Sequence, residues 1–418
     1  MEKELSSIIR EAGIIGAGGA GFPAHVKVSG KAEYILANGA ECEPLLRVDQ
    51  QLLACKTDEV LAGLKAMVSA TGARKGIIAV KSKHGSVIEL LEKSKKEEKN
   101  IELLTLGDFY PAGDEQVLVY EAFKRIVPEG GIPLQVGVVV SNIETLLNIN
   151  NAMNGEPVTR KYITVAGAVL RPVTVRVPLG ISILETIGLA GGALVENYKV
   201  IEGGPMMGRI VDTARPVTKT TKGLIVLPAG HPLILSKEKK LEQMLKQART
   251  ACCHCSLCTE VCPRNLLGHK LHPDKLMRLA SYNSTCEAGV SATEAFLCSE
   301  CGLCEEACIM GLQPWKLNRY LKQELSRAGI RNSPKRTDLY PNEFRDYRRF
   351  PVKKLIARLG LEAYDVKAPI EEELHIDFLH VILPLKQHAG QKAEALVREG
   401  DWVSENQLVA DVKEGQLG

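Results

Sequence analysis

The chain contains no apolar run approaching the ~20 residues that a membrane-spanning helix needs. Its formal net charge is only +3 over 418 residues, so no global field draws it to nucleic acid or to an anionic membrane. The opening stretch, MEKELSSIIREAG, lacks the basic segment and apolar core of an export signal. The expected location is therefore the cytoplasm, where disulfides are rare. There is no low-complexity tract, and no internal repeat beyond one pair of cysteine motifs. What remains is an ordinary globular composition, 45% hydrophobic and 25% charged, with length for two to four domains.

Against these absences the cysteines stand out. There are twelve, and eight of them fall in two tight clusters between Cys252 and Cys308 rather than spread as a disulfide framework would be. In a chain without an export signal, that pattern points to metal. The first cluster is Cys252-x2-Cys255-x2-Cys258-x3-Cys262-Pro263, and the second is Cys298-x2-Cys301-x2-Cys304-x3-Cys308. This is the spacing of bacterial two-cluster ferredoxins. Three thiolates two residues apart wrap one face of a cubane, and the fourth starts a segment leading to the other cluster. The expected ligation is crossed: Cys252, Cys255, Cys258 and Cys308 on one [4Fe–4S] cluster, and Cys298, Cys301, Cys304 and Cys262 on the other. The second motif has Ile309 where the first has Pro263. Zinc would want four ligands in two pairs, and two runs of four at identical spacing are far more specific. Cys253 breaks the regular spacing. Cys42, Cys55 and Cys286 read as small buried residues, and His254 as a solvated loop histidine.

Upstream, residues 34–155 alternate short β-branched runs (34–37, 76–80, 101–104, 136–140) with helical patterns (87–96, 114–125, 143–153), the signature of an α/β layer on a mostly parallel sheet. Residues 161–230 change to strand-like segments at 162–165 and 173–177 with a short helix near 183–190, a small α+β module. A helical segment from Leu241 carries the cysteines to about Ser326. Residues 327–358 hold ten Lys/Arg against three Asp/Glu and read as a wrapping linker, anchored onto the domains by Tyr340, Phe344, Tyr347 and Phe350. RNA binding is the weaker reading of that mix. Short strands with a Gly400-Asp401 turn follow from Phe378.

Gly16-Ala17-Gly18-Gly19-Ala20-Gly21 fits GxGxxG, but in the wrong setting for a Rossmann fingerprint. Residues 6–12 before it read as helix, and Phe22-Pro23 after it begins no obvious helix. Four glycines in six residues still let backbone N–H groups close around a phosphate or lie flat against a ring.

Gly16–Pro23 with Lys27, then Asn38-Gly39-Ala40-Glu41-Cys42-Glu43-Pro44, Gly113-Asp114-Glu115 and Ser141-Asn142-Ile143-Glu144-Thr145-Leu146 resemble the flavin-binding motifs of the NADH-oxidising subunit of respiratory complex I. Gly203-Gly204-Pro205-Met206-Met207-Gly208, the module before it and the dicluster segment resemble the C subunit of the Rnf electron-transport complex. They equally resemble the corrin (cobalamin) reductase of propanediol-utilisation microcompartments. The resemblance spans nearly the whole chain. It implies an α/β FMN- and NAD(H)-binding domain (1–158), an SLBB-type β-grasp module (159–232), a helical ferredoxin-like domain with two [4Fe–4S] clusters (240–326), a basic linker (327–372) and a partial barrel-sandwich, biotinyl-like module (373–418). In the Rnf family that last module precedes the glycine loop. Here the matching segment, 381–388 through 400–403, follows it, an order that resembles the corrin reductase. The chain stops where half of such a module would be complete, so the sequence is expected to be truncated.

By this resemblance Gly16, Gly18, Gly19, Gly21, Lys27, Asn38, Glu41, Glu43, Gly113, Asp114, Glu115, Asn142 and Thr145 line the FMN site, with Glu41 and Glu43 toward the nicotinamide. Electrons from NADH would pass through flavin and clusters to a corrinoid or corrinoid enzyme. Microcompartment or electron-transport proteins would be partners. No acid–base triad is expected, because the cofactors carry the chemistry. His25, His84, His269 and His388 are conceivable cobalt ligands, and each reads better as structural. The alternatives are a component of an electron-transport assembly with a protein acceptor, and a non-catalytic cluster-bearing scaffold.

Overall fold

A computed structural model describes residues 4–95, 98–282, 291–332, 334–372 and 380–412. Its first layer is a four-stranded sheet built from β1 (Tyr34–Gly39), β2 (Lys75–Lys81), β3 (Ile101–Leu106) and β5 (Val138–Asn142), with a short β4 (Phe109–Tyr110) between the last two. The order is β3-β2-β1-β5, and every pairing is parallel. β1, β2 and β5 are covered on both faces, which is why they read as unbroken apolar runs rather than alternating ones. The chain steps outward from β1 to β3 and then returns to the other side of β1 as β5. Ligands of such sheets sit beyond the carboxyl ends of the strands where the order reverses. Here that crevice opens past Asn38 and Asn142, which are register partners.

Helices Val48–Cys55, Thr57–Thr71 and Ile143–Met153 pack together over one face. The middle one opens with Asp58 and Glu59 in its first turn and ends on left-handed Gly72, favourable charge and cap at each end. It touches Ile143–Met153 backbone to backbone at Gly63, where a β-carbon would lie 2.0 Å from the Leu146 carbonyl oxygen.

The second layer is a six-stranded mixed sheet of β6 (Arg160–Gly167), β7 (Val173–Pro178), β8 (Tyr198–Glu202), β9 (Arg209–Val211) and β10 (Gly223–Pro228), joined by β12 (Ile370–Glu371). Its order is β12-β7-β6-β10-β8-β9. Helix Ile183–Leu189 packs on it, opened by a reciprocal Ser182–Glu185 capping box. The cysteine segment is mostly helical, with Leu241–Ala251, Pro273–Ser281 and Pro314–Arg327 around a core of Met244, Ala248, Leu271, Leu276 and Leu317.

The basic segment wraps, as its composition suggests, but of its four aromatics only Phe350 anchors it, packed beside Leu355 and Tyr110 and paired with β4. Tyr340, Phe344 and Tyr347 are exposed. The arginines also hold it: Arg345 is buried against Glu121, Arg349 reaches the same carboxylate, and Arg348 pairs with Glu260. A planar guanidinium can bridge two modules through charge-assisted bonds that a flat aromatic cannot make. The segment adds β11 (Phe350–Pro351) to β4 and β12 to β7. Beyond it, the described residues contribute one two-residue ladder, Glu394–Ala395 with Ala410–Asp411. No helix among the described residues is long and apolar enough to cross a membrane.

Two further expectations are corrected. A five-residue helix, Ala24–Val28, does follow Pro23; its one turn is too short to leave an apolar period in the sequence. Cys55 is exposed at the end of its helix rather than buried. Cys286 lies outside the described residues.

Candidate functional site

The glycine loop lies against the crevice. The Gly16 amide closes it by donating to the Phe22 carbonyl at 2.8 Å, and the Ala17 amide donates to Thr145 Oγ1 at 3.0 Å. Gly18 faces the Asn142 side chain, 3.6 Å from where its β-carbon would be. Gly19, at φ +108°, has no atom within 4 Å of that position. It is an open cradle with a backbone conformation that L side chains rarely adopt, as a flat cofactor lying on the loop would require. Lys27 crosses behind to the Val140 carbonyl (2.7 Å) and lies 3.7 Å from the exposed Glu115. Asn38 donates to the Gly113 carbonyl at 2.9 Å. Gly18, Asn142 and Thr145 thus meet at the glycine loop, Lys27 pairs with Glu115 and Asn38 with Gly113, and the space left open at Gly19 fits a flat ring lying on the loop.

Other motif residues face different partners. Glu41, at φ +32°, accepts from the Asp49 and Gln50 amides and so caps helix Val48–Cys55. Burial and the adjacent Asp49 carboxylate raise its carboxyl to about 7. Glu43 accepts from the backbone amides of Met206 (2.9 Å) and Met207 (3.0 Å), in the Gly203–Gly208 loop of the second module. Burial also raises Glu43 above the usual carboxylate range. Asp114 caps helix Glu115–Phe123 and forms a two-pronged pair with Arg264, at 2.6 and 2.9 Å, two residues past Cys262. Gly21 accepts from the Ala389 amide at 2.8 Å, so the C-terminal segment rests on the glycine loop.

The structure also brings in residues that no motif announced. Buried Tyr110 donates to the Cys301 carbonyl at 2.6 Å, with its oxygen 3.5 Å from Glu43. Lys161 is fully buried and ion-paired to Glu144, while Lys222 is paired to Asp49. Asp49 in turn accepts from Asn142 Nδ2 on both carboxylate oxygens, at 3.1 and 3.0 Å. Of these four charged groups, only Glu144 belongs to a sequence motif. A lone lysine in a strand pattern gives no sign that it is buried.

The cysteines fall into two groups. Cys252, Cys255, Cys258 and Cys308 line one cavity, whose wall also includes Cys253, His254, Met277 and Leu312. Cys262, Cys301 and Cys304 are buried with Cys298 beside them, each thiol disfavouring ionisation of the next. Burial pushes the Cys262 thiol up to about 12, and Cys258, Cys301 and Cys304 also rise, all mainly by burial. Cys253 is exposed. Of the histidines, buried His269 bonds the Val127 carbonyl through Nε2 and is held down to about 4 by burial.

Comparison with known proteins matches the same three units. The Nuo51 FMN-binding domain family matches residues 9–151, the SLBB domain family residues 162–210, and the 4Fe-4S dicluster domain family residues 251–313. The C subunit of the Na(+)-translocating ferredoxin:NAD(+) oxidoreductase complex of Acetobacterium woodii is 35% identical over 63% of this chain and 58% of its own. An NAD+-reducing [NiFe]-hydrogenase structure shares the fold at TM-score 0.52 and 19% identity, covering 86% of this chain and 66% of that one. Cobalamin reductase PduS of Salmonella typhimurium is 46% identical over 99% of this chain and 91% of its own length. The protein is an oxidoreductase with FMN and two [4Fe–4S] clusters as cofactors, and it belongs to the family of cobalamin reductase PduS.

Proposed function

We propose that the chain oxidises NADH and delivers the electrons to a corrinoid. The observation that carries this reading is the Tyr110 bridge: one buried side chain spans Glu43 of the nucleotide motifs and the Cys301 backbone of a cysteine motif. The two redox units are therefore in contact within one chain rather than on separate, loosely tethered domains. Bound flavin converts a two-electron hydride donor into single electrons, and the clusters carry them singly. The chain's own part would be to hold the flavin phosphate and ring with the Gly16–Gly21 loop and Lys27. Cys252, Cys255, Cys258 and Cys308 would hold one cluster, and Cys262, Cys298, Cys301 and Cys304 the other. The corrinoid as acceptor rests on the relative's name, and residence in a propanediol-utilisation microcompartment on the sequence resemblance alone.

Likeness to the ferredoxin:NAD(+) oxidoreductase protein favours a second reading, with a protein acceptor. Anaerobic titration of the purified protein with NADH, followed by absorbance with and without cob(III)alamin, separates the two. Bleaching of flavin and clusters followed by cob(II)alamin formation supports the first. Bleaching without corrinoid reduction moves the acceptor to a protein, and no bleaching by NADH overturns both.

A further inference from the structure

Beyond the motifs of the flavin domain, we infer that Lys222 of the β-grasp module is a positioning residue for flavin binding, acting through Asp49 on Asn142. The inference rests on the flavin reading above and concerns how that site is held. Asn142 ends β5 at the reversal point of the sheet and caps helix Ile143–Met153, its Oδ1 accepting from the Glu144 amide at 3.0 Å. Its Nδ2 donates to both oxygens of Asp49. The amide is thereby locked, with one end fixed by the helix and the other by the carboxylate, while its Cβ faces Gly18 of the cradle.

Asp49 is itself buried, and its charge is answered from outside the domain. Lys222, just before β10, ion-pairs with it and is itself nearly buried. Asn142, Asp49 and Lys222 therefore form a relay from one module into the floor of the other's binding crevice. A second relay runs in parallel. Lys161 pairs with Glu144, whose other oxygen accepts from the Tyr162 amide at 3.1 Å. The adjacent Thr145 holds the Ala17 amide. Both lysines thus act on the first turn of the helix that faces the loop.

The groups around Asp49 are Glu41, Lys222, Lys161 and Glu144. Three carboxyl groups answer two ammonium groups, so removing Lys222 leaves the Asp49 carboxylate without its counter-charge in a buried setting. Asp49 then has reason to shift, and Asn142 shifts with it. A structural role alone would lower stability without a separate effect on flavin affinity.

The test measures the FMN dissociation constant of the deflavinated full-length protein by fluorescence quenching, beside its thermal unfolding and iron content. Lys222→Met should weaken FMN at least about tenfold with iron content unchanged. Lys222→Arg, which keeps the charge and the reach, should stay within about threefold of wild type. Lys222→Met with Asp49→Leu removes both charges and should regain thermal stability while FMN stays weak, because Asn142 Nδ2 still lacks its acceptor. If the double variant regains wild-type affinity, Lys222 is merely structural and the inference falls. It falls equally if Lys222→Arg loses as much affinity as Lys222→Met at unchanged unfolding temperature. Wild-type protein that takes up no FMN overturns the flavin reading and this inference together. Uptake by wild type with unchanged affinity in Lys222→Met overturns this inference alone.

Discussion

Arg264 and Asp114 join the cysteine segment to the flavin domain, and breaking them should show how tightly the two are coupled. About a tenth of each side chain is exposed, and the guanidinium meets both carboxylate oxygens. Removing one member of such a buried pair costs about 3–5 kcal/mol, chiefly by leaving the other charge uncompensated. The residual exposure puts Arg264→Leu near the lower end, at about 3 kcal/mol. Asp114→Asn should cost about as much while keeping the helix cap, since an amide oxygen caps as well as a carboxylate, and Asp114→Ala should cost about 1 kcal/mol more. The double variant Arg264→Leu, Asp114→Asn leaves no stranded charge. It should therefore lose only about 1 kcal/mol, less than either single variant and far from the roughly 6 that independent sites would give. The assay is anaerobic urea unfolding, with flavin-domain and cluster signals recorded together. Single-variant losses that add to within about 0.5 kcal/mol would refute the coupling, and with it the claim that Asp114 docks the modules.

Gly19→Val should abolish FMN retention and leave iron content near wild type, because the side chain fills the open cradle and φ +108° disfavours it; full flavin content in that variant would show the loop to be misassigned. Glu41→Gln should change the pH dependence of stability. Glu41 titrates at about 7 when folded against 4.5 as a free side chain, so its contribution is complete below about 4.5 and is lost as pH rises through 7. The variant should gain stability relative to wild type between pH 5 and pH 8, and parallel pH profiles would contradict the raised value. In iron analysis and EPR, Cys262→Ala should perturb the same cluster as Cys301→Ala, and Cys308→Ala the same one as Cys255→Ala. The opposite grouping would replace crossed ligation by a local one.

Much of the architecture was legible because it is periodic. The runs at 34–37, 76–80, 101–104 and 136–140 lie within or overlap the four parallel strands, and three of these are apolar throughout because both their faces are buried. The helix expected at 143–153 matches Ile143–Met153. Long-range pairing left no local mark. Strand β4 is two residues long and exists because β11, some 240 positions later, pairs with it. Three of the four aromatics of the basic segment misled: Phe350 packs as an anchor, whereas Tyr340, Phe344 and Tyr347 are exposed and Arg345 and Arg349 hold the segment through Glu121. Motif reading also located the crevice without distinguishing residues that face it from residues that hold it in place. Asp114 and Glu43 look alike in sequence, as acidic groups beside glycine or proline, yet their oxygens are engaged by the cysteine segment and the β-grasp loop.

That last pattern bears on why these modules travel in one chain. Within the first domain, Glu43, Asp49, Asp114 and Glu144 are all wholly or partly buried. Each has, besides any partner of its own domain, one supplied from outside it: the amides of Met206 and Met207 for Glu43, Lys222 for Asp49, Arg264 for Asp114 and Lys161 for Glu144. A buried carboxylate without its partner is strongly destabilising, so the flavin crevice is not a property of its own domain. It is assembled where the β-grasp module and the cysteine segment close on it. The same closure brings Tyr110 onto Cys301, so the contacts that neutralise the buried acids also set the two redox units side by side.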